Sequence, residues 1–522
     1  MRINSICVLG GGTAGFSISS LLSRYKELSG LDFDIKLVYS EKIKTIGVGE
    51  SSILNINDLF NYLGIDEKQW MRKCDATYKV SLKFTDFNEG SHFYYPLGKN
   101  SFDKRDNALR INDWFIAKEF NPDLYIPENV ATYISSHNIL AQKNKLIDRC
   151  RFNSYIYKET GEYEVLQQYN LKNSTAYHFD SSKLGDVLKE YSIERGVEII
   201  NDKFIDAKMN DDGSIKELVC EGGNYDADLF VDCSGFESLL LGKIMKEDFI
   251  SYSDTLINDK ALVAKVPYTD KDKQLKNYTD SIALKNGWCW EIPLWNHMSV
   301  GYVHTNKFAS EKEIEKEFFD RYGDVEYKTV HYKTGRYKRG WVKNVVGIGL
   351  AYGFIEPLES TGLATTFVNC FKLLEIISKR DLNYTQIDRD IFSYSVGNNG
   401  IDYWRSVVMM HYFLSIRNDS NYWKYVTEDA NYDKDINSEF SYKSFIHKCS
   451  VTRDLSNESG PIYIITGMGY SPFSRAHLLS DASKIPIQLK DGKGFEEFLV
   501  SLGKFVDKLP STFEFLRNNI YG

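Results

Sequence analysis

Three short stretches hold residue types that could do chemistry. FIEPLESTG (354–362) places Glu359 directly before Ser360, Thr361 and Gly362. The stretch that follows has apolar residues at 363, 364, 367, 368, 371, 374 and 377, the spacing of one helix face, with Ser360 or Thr361 as N-cap. Thr361 and Gly362 then present backbone N–H groups at the positive end of a helix, which attracts phosphate, carboxylate or halide. That helix end favours an ionised Glu359, and burial opposes it. TYKVSLKFT (77–85) alternates, with Tyr78, Val80, Leu82 and Phe84 on one face and Thr77, Lys79, Ser81 and Lys83 on the other. It reads as a half-buried strand with both lysines on a solvated face, and periodicity does not select between them. GWCWEIP (287–293) puts Trp288, Trp290 and Ile292 on one face, and Pro293 either ends the strand or holds it at a sheet edge. Read alone, the ring pair is core.

Positioning such groups takes a scaffold, and its first part is at the start of the chain. An apolar run, Ser5 to Leu9, meets GGGTAG (10–15), then a helical stretch, then IKLVYS (35–40). Strand, glycine turn, helix and strand in that order begin a dinucleotide-binding fold, in which glycines let a pyrophosphate approach the backbone and the helix end supplies N–H donors. An acid is expected at the end of the second strand, where Tyr39 is followed by Ser40 and Glu41. Two more strand-and-turn segments, ADLFVDCSGF (227–236) and NVVGIGLAYGF (344–354), complete the pattern of one fold wrapped around one flavin. A second GxGxxG, as a separate NADPH domain would have, does not occur. From about residue 386 the pattern turns helical, and His411 in YWRSVVMMHYFLSI reads as a core histidine. TDKDKQLKNYTD (269–280) and ANYDKDINSEFSYKS (430–444) read as surface connections.

Bulk properties narrow the function classes. With 43% hydrophobic and 26% charged residues, the 522-residue chain has a globular composition, and no run reaches the ~18 apolar residues of a bilayer span. A net charge of -8 with dispersed lysines gives no footprint for nucleic acid. Eight cysteines, at 7, 74, 150, 220, 233, 289, 370 and 449, form no CxxC pair, so no zinc site or redox dithiol is indicated. Scattered thiols and a start, MRINSICVL, too short for a signal peptide point to the cytoplasm.

Taken together, the stretches resemble the flavin-dependent halogenases and, among them, the tryptophan halogenase branch. The matching segments are GGGTAG, TIGVGESS (45–52), CDATYKVSLKF (74–84), DLFVDCSGF (228–236), GWCWEIP as a WxWxIP signature, FIEPLESTG as an FxxPxxSxG signature, and HYFLSIRNDSNYW (411–423). The resemblance implies an α/β fold of the Rossmann-like flavin monooxygenase and halogenase type with a helical C-terminal subdomain. Its expected organisation is an FAD-binding core over 1–385, with substrate-site segments inserted at about 85–175, and a mainly helical, substrate-covering 386–522. It further implies that reduced FAD, O2 and halide make hypohalous acid, which travels through an internal tunnel to Lys79, selected here over Lys83 by the resemblance alone. Lys79 either forms a haloamine or hydrogen-bonds the hypohalous acid, and that choice stays open. Glu359 would orient the oxidant or take the ring proton, Ser360 would link the halogenating and flavin sites, and halide would lie against Thr361 and Gly362. FAD would be held by Gly10, Gly12, Thr13, Ala14, Gly15, Gly47, Gly49, Glu50, Gly349 and Leu350; Leu350, where flavin hydroxylases have Asp, favours halogenation. Trp288, Trp290, Ile292 and Pro293 would keep organic substrate from the flavin.

Three positions, in two places, depart from the family's pattern. Tyr39 stands where an acid meets the ribose, and Tyr95 and Leu97 of YYPLG (94–98) stand where a His and a Phe stack on indole. Stacking is weaker at Leu97, which argues against free tryptophan and for another electron-rich aromatic small molecule. A separate NAD(P)H-dependent flavin reductase is the implied partner, no nucleic acid or membrane is, and assembly as monomer or homo-oligomer is open. Competing expectations are an aromatic monooxygenase on the same scaffold and a flavin-binding protein without catalysis.

Overall fold

The computed structural model describes residues 2–43, 47–98, 130–135, 137–152, 167–430, 459–470 and 493–522, with short pieces at 114–115, 118–119, 474–476 and 480. The expected connection at 430–444 lies, from 431 on, outside the described residues. The strands that position candidate residues are β1 (Ser5–Leu9), β2 (Asp34–Tyr39), β3 (Gly49–Ser51), β4 (Thr77–Lys79), β5 (Ser81–Thr85) and β6 (His92–Pro96). They continue with β7 (Glu198–Asn201), β8 (Leu229–Asp232), β9 (Tyr278–Leu284), β10 (Gly287–Pro293), β11 (Trp341–Val342) and β12 (Val345–Gly347). Five helices matter: α1 (Thr13–Ser29), α2 (Asn138–Gln142), α3 (Gly362–Ser378), α4 (Tyr403–Phe413) and α5 (Ser459–Gly467).

The chain forms two compact units, the first from residues 1–76, 178–265 and 301–405, the second from 77–177, 266–300 and 406–522. In the first unit a sheet runs β7-β2-β1-β8-β12-β11, and β7, β2, β1, β8 and β12 pair in parallel. Ile6, Cys7 and Val8 of β1 are fully buried, as a strand enclosed on both faces requires. α1 starts after the glycine turn with Gly12 as an extended N-cap and stops at Gly30 in the left-handed region. This is the mixed α/β, Rossmann-like architecture expected.

In the second unit β9 pairs in parallel with β5 and antiparallel with β10, and β5 pairs antiparallel with β6. Residues opposite one another in a sheet share a face. One row therefore reads Trp290, Ser281, Phe84, Phe93, and the next Thr279, Leu82, Tyr95. The opposite face carries Glu291, Asp280, Lys83 and Tyr94 in one row. His411 of α4 is fully buried, its ring centroid 4.2 Å from that of Phe84 and 6.0 Å from that of Phe93, so it is the core histidine expected. Gly460 and Gly467, seven apart on α5, allow that helix to lie against β6. A Cβ at Gly460 would come 2.2 Å from the Tyr95 hydroxyl, and one at Gly467 would come 2.2 Å from the Phe93 ring.

Two expectations need correction. The stretch 77–85 is not one half-buried strand: it breaks at Val80, and every side chain from Thr77 to Leu82 is buried. Alternation fails because packing covers both faces of β4. Nor is 269–280 all surface: Lys271–Gln274 is an exposed helical turn, but Leu275 and Asn277 have 0% exposure and Thr279 begins the buried face of β9.

Candidate active site

The glycine segments come together in the first unit. Gly10 has φ +123°, and a Cβ there would meet the Cys233 carbonyl oxygen at 2.2 Å. A Cβ at Gly15 would lie 1.9 Å from the Gly10 carbonyl oxygen, so only glycine lets α1 leave the turn this tightly. Gly12 faces open space at the N-terminus of α1, where the first-turn N–H groups have no intrahelical acceptors. Thr13 Oγ1 donates to the Ser181 carbonyl at 3.0 Å and fixes that turn. Gly349, with φ +64°, adjoins the same turn: a Cβ on it would approach Ala14 Cβ at 3.3 Å and Thr366 Oγ1 of α3 at 3.0 Å. Leu350 follows in a short 3-10 turn over Gly349–Ala351. An open glycine at a helix end, flanked by glycines that admit no side chain, fits a dinucleotide pyrophosphate.

At the end of β2 the Tyr39 ring lies over Gly11, within 2.4 Å of where a Cβ would be. Its hydroxyl donates to Glu41 at 2.9 Å and accepts from Lys189 at 2.7 Å. Lys189 is 150 residues from Tyr39 in sequence and no local pattern marked it.

Gly47, with φ +39°, accepts Lys328 Nζ on its carbonyl at 3.1 Å, and Gly49 and Glu50 lie in β3 opposite Asp180 and Phe179. Glu50 is half-buried, and desolvation raises its carboxyl from 4.5 to about 7. The folded state keeps this proton up to about pH 7, whereas the unfolded chain releases it near 4.5, so stability falls as pH rises through that window. Glu50→Gln should remove that slope. In FAD-free protein, urea unfolding should show the variant gaining on the parent by up to about 3 kcal/mol between pH 5 and pH 8.

α3 starts where expected. Pro357–Glu359 is a 3-10 turn with proline at its start, Ser360 takes the left-handed conformation (φ +59°, ψ 36°), and Thr361 is the N-cap of α3. Glu359, Ser360 and Thr361 are all buried. The Thr361 side chain does not cap, however, and its Oγ1 is buried with no hydrogen-bond partner among the described residues. A Cβ at Gly362 would meet nothing within 4 Å. A helix end, open space and an unsatisfied hydroxyl fit a small anion such as halide. Glu356, three residues before Glu359, is also buried and accepts from Asn258 Nδ2 at 2.9 Å.

In the second unit Lys79 is fully buried at the end of β4. Two residues before it, Thr77 Oγ1 donates at 2.6 Å to the carbonyl of Pro293, the last residue of β10, so the lysine segment and the tryptophan segment are joined directly. One residue after it, the Val80 carbonyl accepts the Leu97 N–H at 2.8 Å. Lys83 is different: it pairs with Asp280 at 3.2 Å, and Thr85 Oγ1 donates to the same carboxylate at 2.7 Å. Trp288 is fully buried and Trp290 9% exposed, with ring centroids 6.2 Å apart. Pro293 ends the strand, the first of the two readings offered for it. Tyr95 is on the Trp290 and Ile292 face by register, half-buried, its ring 5.3 Å from that of Tyr463 on α5. Leu97 is buried just beyond β6.

The sequence profile described as tryptophan halogenase matches residues 5–484, nearly the whole chain. The chain belongs to the tryptophan halogenase family. Curated relatives include tryptophan 7-halogenase RebH of Lentzea aerocolonigenes, 31% identical over 449 residues, 81% of this chain and 78% of that one. Tryptophan 6-halogenase SttH of Streptomyces toxytricini is 32% identical over 431 residues, 81% of this chain and 80% of its own. Among solved structures, apo VirX1 superposes with a TM-score of 0.88 at 33% identity over 100% of both chains, and SttH with 0.79 at 28% over 99% of both. As a family member this halogenase is a flavin-dependent oxidoreductase. Among its described residues no helix is long and apolar enough to cross a membrane, and no group of three or more His, Cys, Asp or Glu could hold a metal ion.

Proposed function

We propose that this halogenase places a halogen on an electron-rich aromatic small molecule, indole- or phenol-like, using hypohalous acid carried to Lys79 without release to solvent. The observation that carries the reading is Lys79 itself, a lysine with 0% exposure between a bond to the tryptophan strand and a bond to Leu97, just beyond β6. Reduced FAD, supplied by a separate NAD(P)H-dependent flavin reductase, provides the activation of O2 that oxidises halide. Gly10, Gly12, Thr13, Ala14 and Gly15, with Gly47, Gly49, Glu50, Gly349 and Leu350, hold the FAD. The N–H groups of Thr361 and Gly362 hold halide, with Thr361 Oγ1 as a further donor. Lys79 presents the electrophilic halogen at Nζ, either covalently as a haloamine, formed from the neutral amine and hypohalous acid with loss of water, or through an ammonium hydrogen bond that polarises hypohalous acid and protonates the departing hydroxide to water. The ring gives up a proton as the carbon–halogen bond forms, and Glu359 takes it; Ser360, in its strained turn, fixes the direction of that carboxylate. Trp288, Trp290, Ile292 and Pro293 bar the aromatic from the reduced flavin, which favours halogenation over oxygen insertion.

For the substrate, Tyr95 offers one ring backed by Tyr463, and Leu97 offers an aliphatic edge. That surface suits an indole or phenol more than free tryptophan. The test supplies FAD, a flavin reductase, NADH and chloride, bromide or iodide to a panel of indoles and phenols and reads product masses. A halogen-for-hydrogen mass shift is expected. Oxygen insertion across the panel without halogenation would overturn the reading in favour of a monooxygenase.

A further inference from the structure

Val80, between β4 and β5, has both backbone groups committed. Its N–H donates to the Asn277 carbonyl at 2.7 Å, and its carbonyl accepts the Leu97 N–H at 2.8 Å. Both partners are held by one short helix. His137, the N-cap residue of α2, bonds the Leu97 carbonyl through Nε2 at 2.7 Å. Asn277 Nδ2 donates to the carbonyls of Leu140, in α2, at 3.2 Å and of Lys145 at 2.9 Å. The bonds form a closed circuit: His137 to Leu97, Leu97 to Val80, Val80 to Asn277, and Asn277 back to α2. His137 is 3% and Asn277 0% exposed, so water does not readily replace a lost member. Burial pushes the His137 imidazole down to about 4, and the neutral ring then carries its proton on Nε2, because the carbonyl opposite can only accept.

Lys79 directly precedes this pinned residue, and Thr77 is tied to Pro293 two residues before it. We propose that His137 and Asn277 are positioning residues that fix the Lys79 amine for halogen transfer by locking the backbone at Val80. The proposal rests on the reading of Lys79 as the halogenating lysine. A displacement of about 1 Å at a reacting group can lower turnover about 100-fold, so the circuit is expected to act on kcat.

The full-length, FAD-loaded enzyme is assayed with flavin reductase, NADH, bromide and the best aromatic of the panel, reading kcat, KM for the aromatic and the fraction of oxidised NADH recovered as product. His137→Leu should lower kcat and that fraction about 10- to 100-fold with KM nearly unchanged. His137→Gln, whose amide can still donate to Leu97, should recover most of the loss. A merely structural role would lower the melting temperature of both variants and leave the product fraction of the folded enzyme at the parent value; that result for His137→Leu overturns the proposal. Should His137→Leu not fold, His137→Asn decides, because its shorter amide stops short of Leu97, and a product fraction equal to that of His137→Gln overturns the proposal. Lys79→Met separates the two readings. If it keeps forming product, the assignment of Lys79 fails; if it loses product while folded His137→Leu does not, only the circuit fails.

Discussion

Lys79→Met should lower aromatic halogenation at least about 1000-fold while oxidation of reduced FAD and binding of FAD stay near the parent values. Methionine keeps most of the buried stem, so the change removes the amine with little change in packing, whereas Lys79→Ala would leave a cavity at a fully enclosed position. Oxidant released to solvent can halogenate a reactive ring unaided, and the assay therefore includes a hypohalous acid scavenger. Lys83→Met is the informative contrast. Lys83 already pairs with Asp280, on the sheet face opposite the Trp290 row, so its loss should strip a partner from a carboxylate that burial raises. It should lower stability and leave turnover per folded molecule within about threefold. Product formation by folded Lys79→Met in the presence of scavenger, or equal losses in the two variants, would sink the assignment.

That contrast also marks what the sequence could and could not disclose. Lys79 and Lys83 occupy equivalent places in an alternating pattern, and nothing within nine residues separates them. Burial separates them in the fold: Lys83 meets a carboxylate 197 positions away, while Lys79 is fully enclosed by packing on both faces of β4. The glycine turn was legible because its cause is local. Gly10 and Gly15 leave no room for a side chain in a turn between a buried strand and a helix, and that steric demand is written in six residues. The start of α3 was legible for the same reason, but the unsatisfied Thr361 hydroxyl was not, since a threonine at a helix start ordinarily caps. Asn277 lies in a polar run with the composition of a surface loop, and its bonds reach Leu140 and Lys145 across 137 and 132 residues. His137 had no motif around it. Polar side chains that support a site from a distance leave no periodic trace, and only the folded contacts reveal them.

Glu359→Gln is expected to give the second large loss, a fall in kcat of about 100- to 1000-fold, with the affinity for FAD unchanged. The amide has nearly the same size and can still orient a neighbour by hydrogen bonds, but it cannot take a proton from the ring. The turn at Gly10, Gly12, Gly15 and Gly349, proposed to hold FAD, is untouched by the change. Glu359→Asp keeps the charge and shortens the side chain by one methylene in a buried turn held by Pro357 and the left-handed Ser360, so it should recover only part of the loss. Comparing the two variants separates proton transfer from orientation. If orientation is the whole role, Gln should outperform Asp; if the carboxylate is the base, Asp should outperform Gln. Replacing the reacting ring hydrogen by deuterium sharpens the comparison. A kinetic isotope effect that is absent in the parent and appears in Glu359→Gln would show that losing the base has made proton removal rate-limiting. Parent-like kcat in folded Glu359→Gln would instead remove Glu359 from the chemistry and leave it as a buried acid that shapes the start of α3.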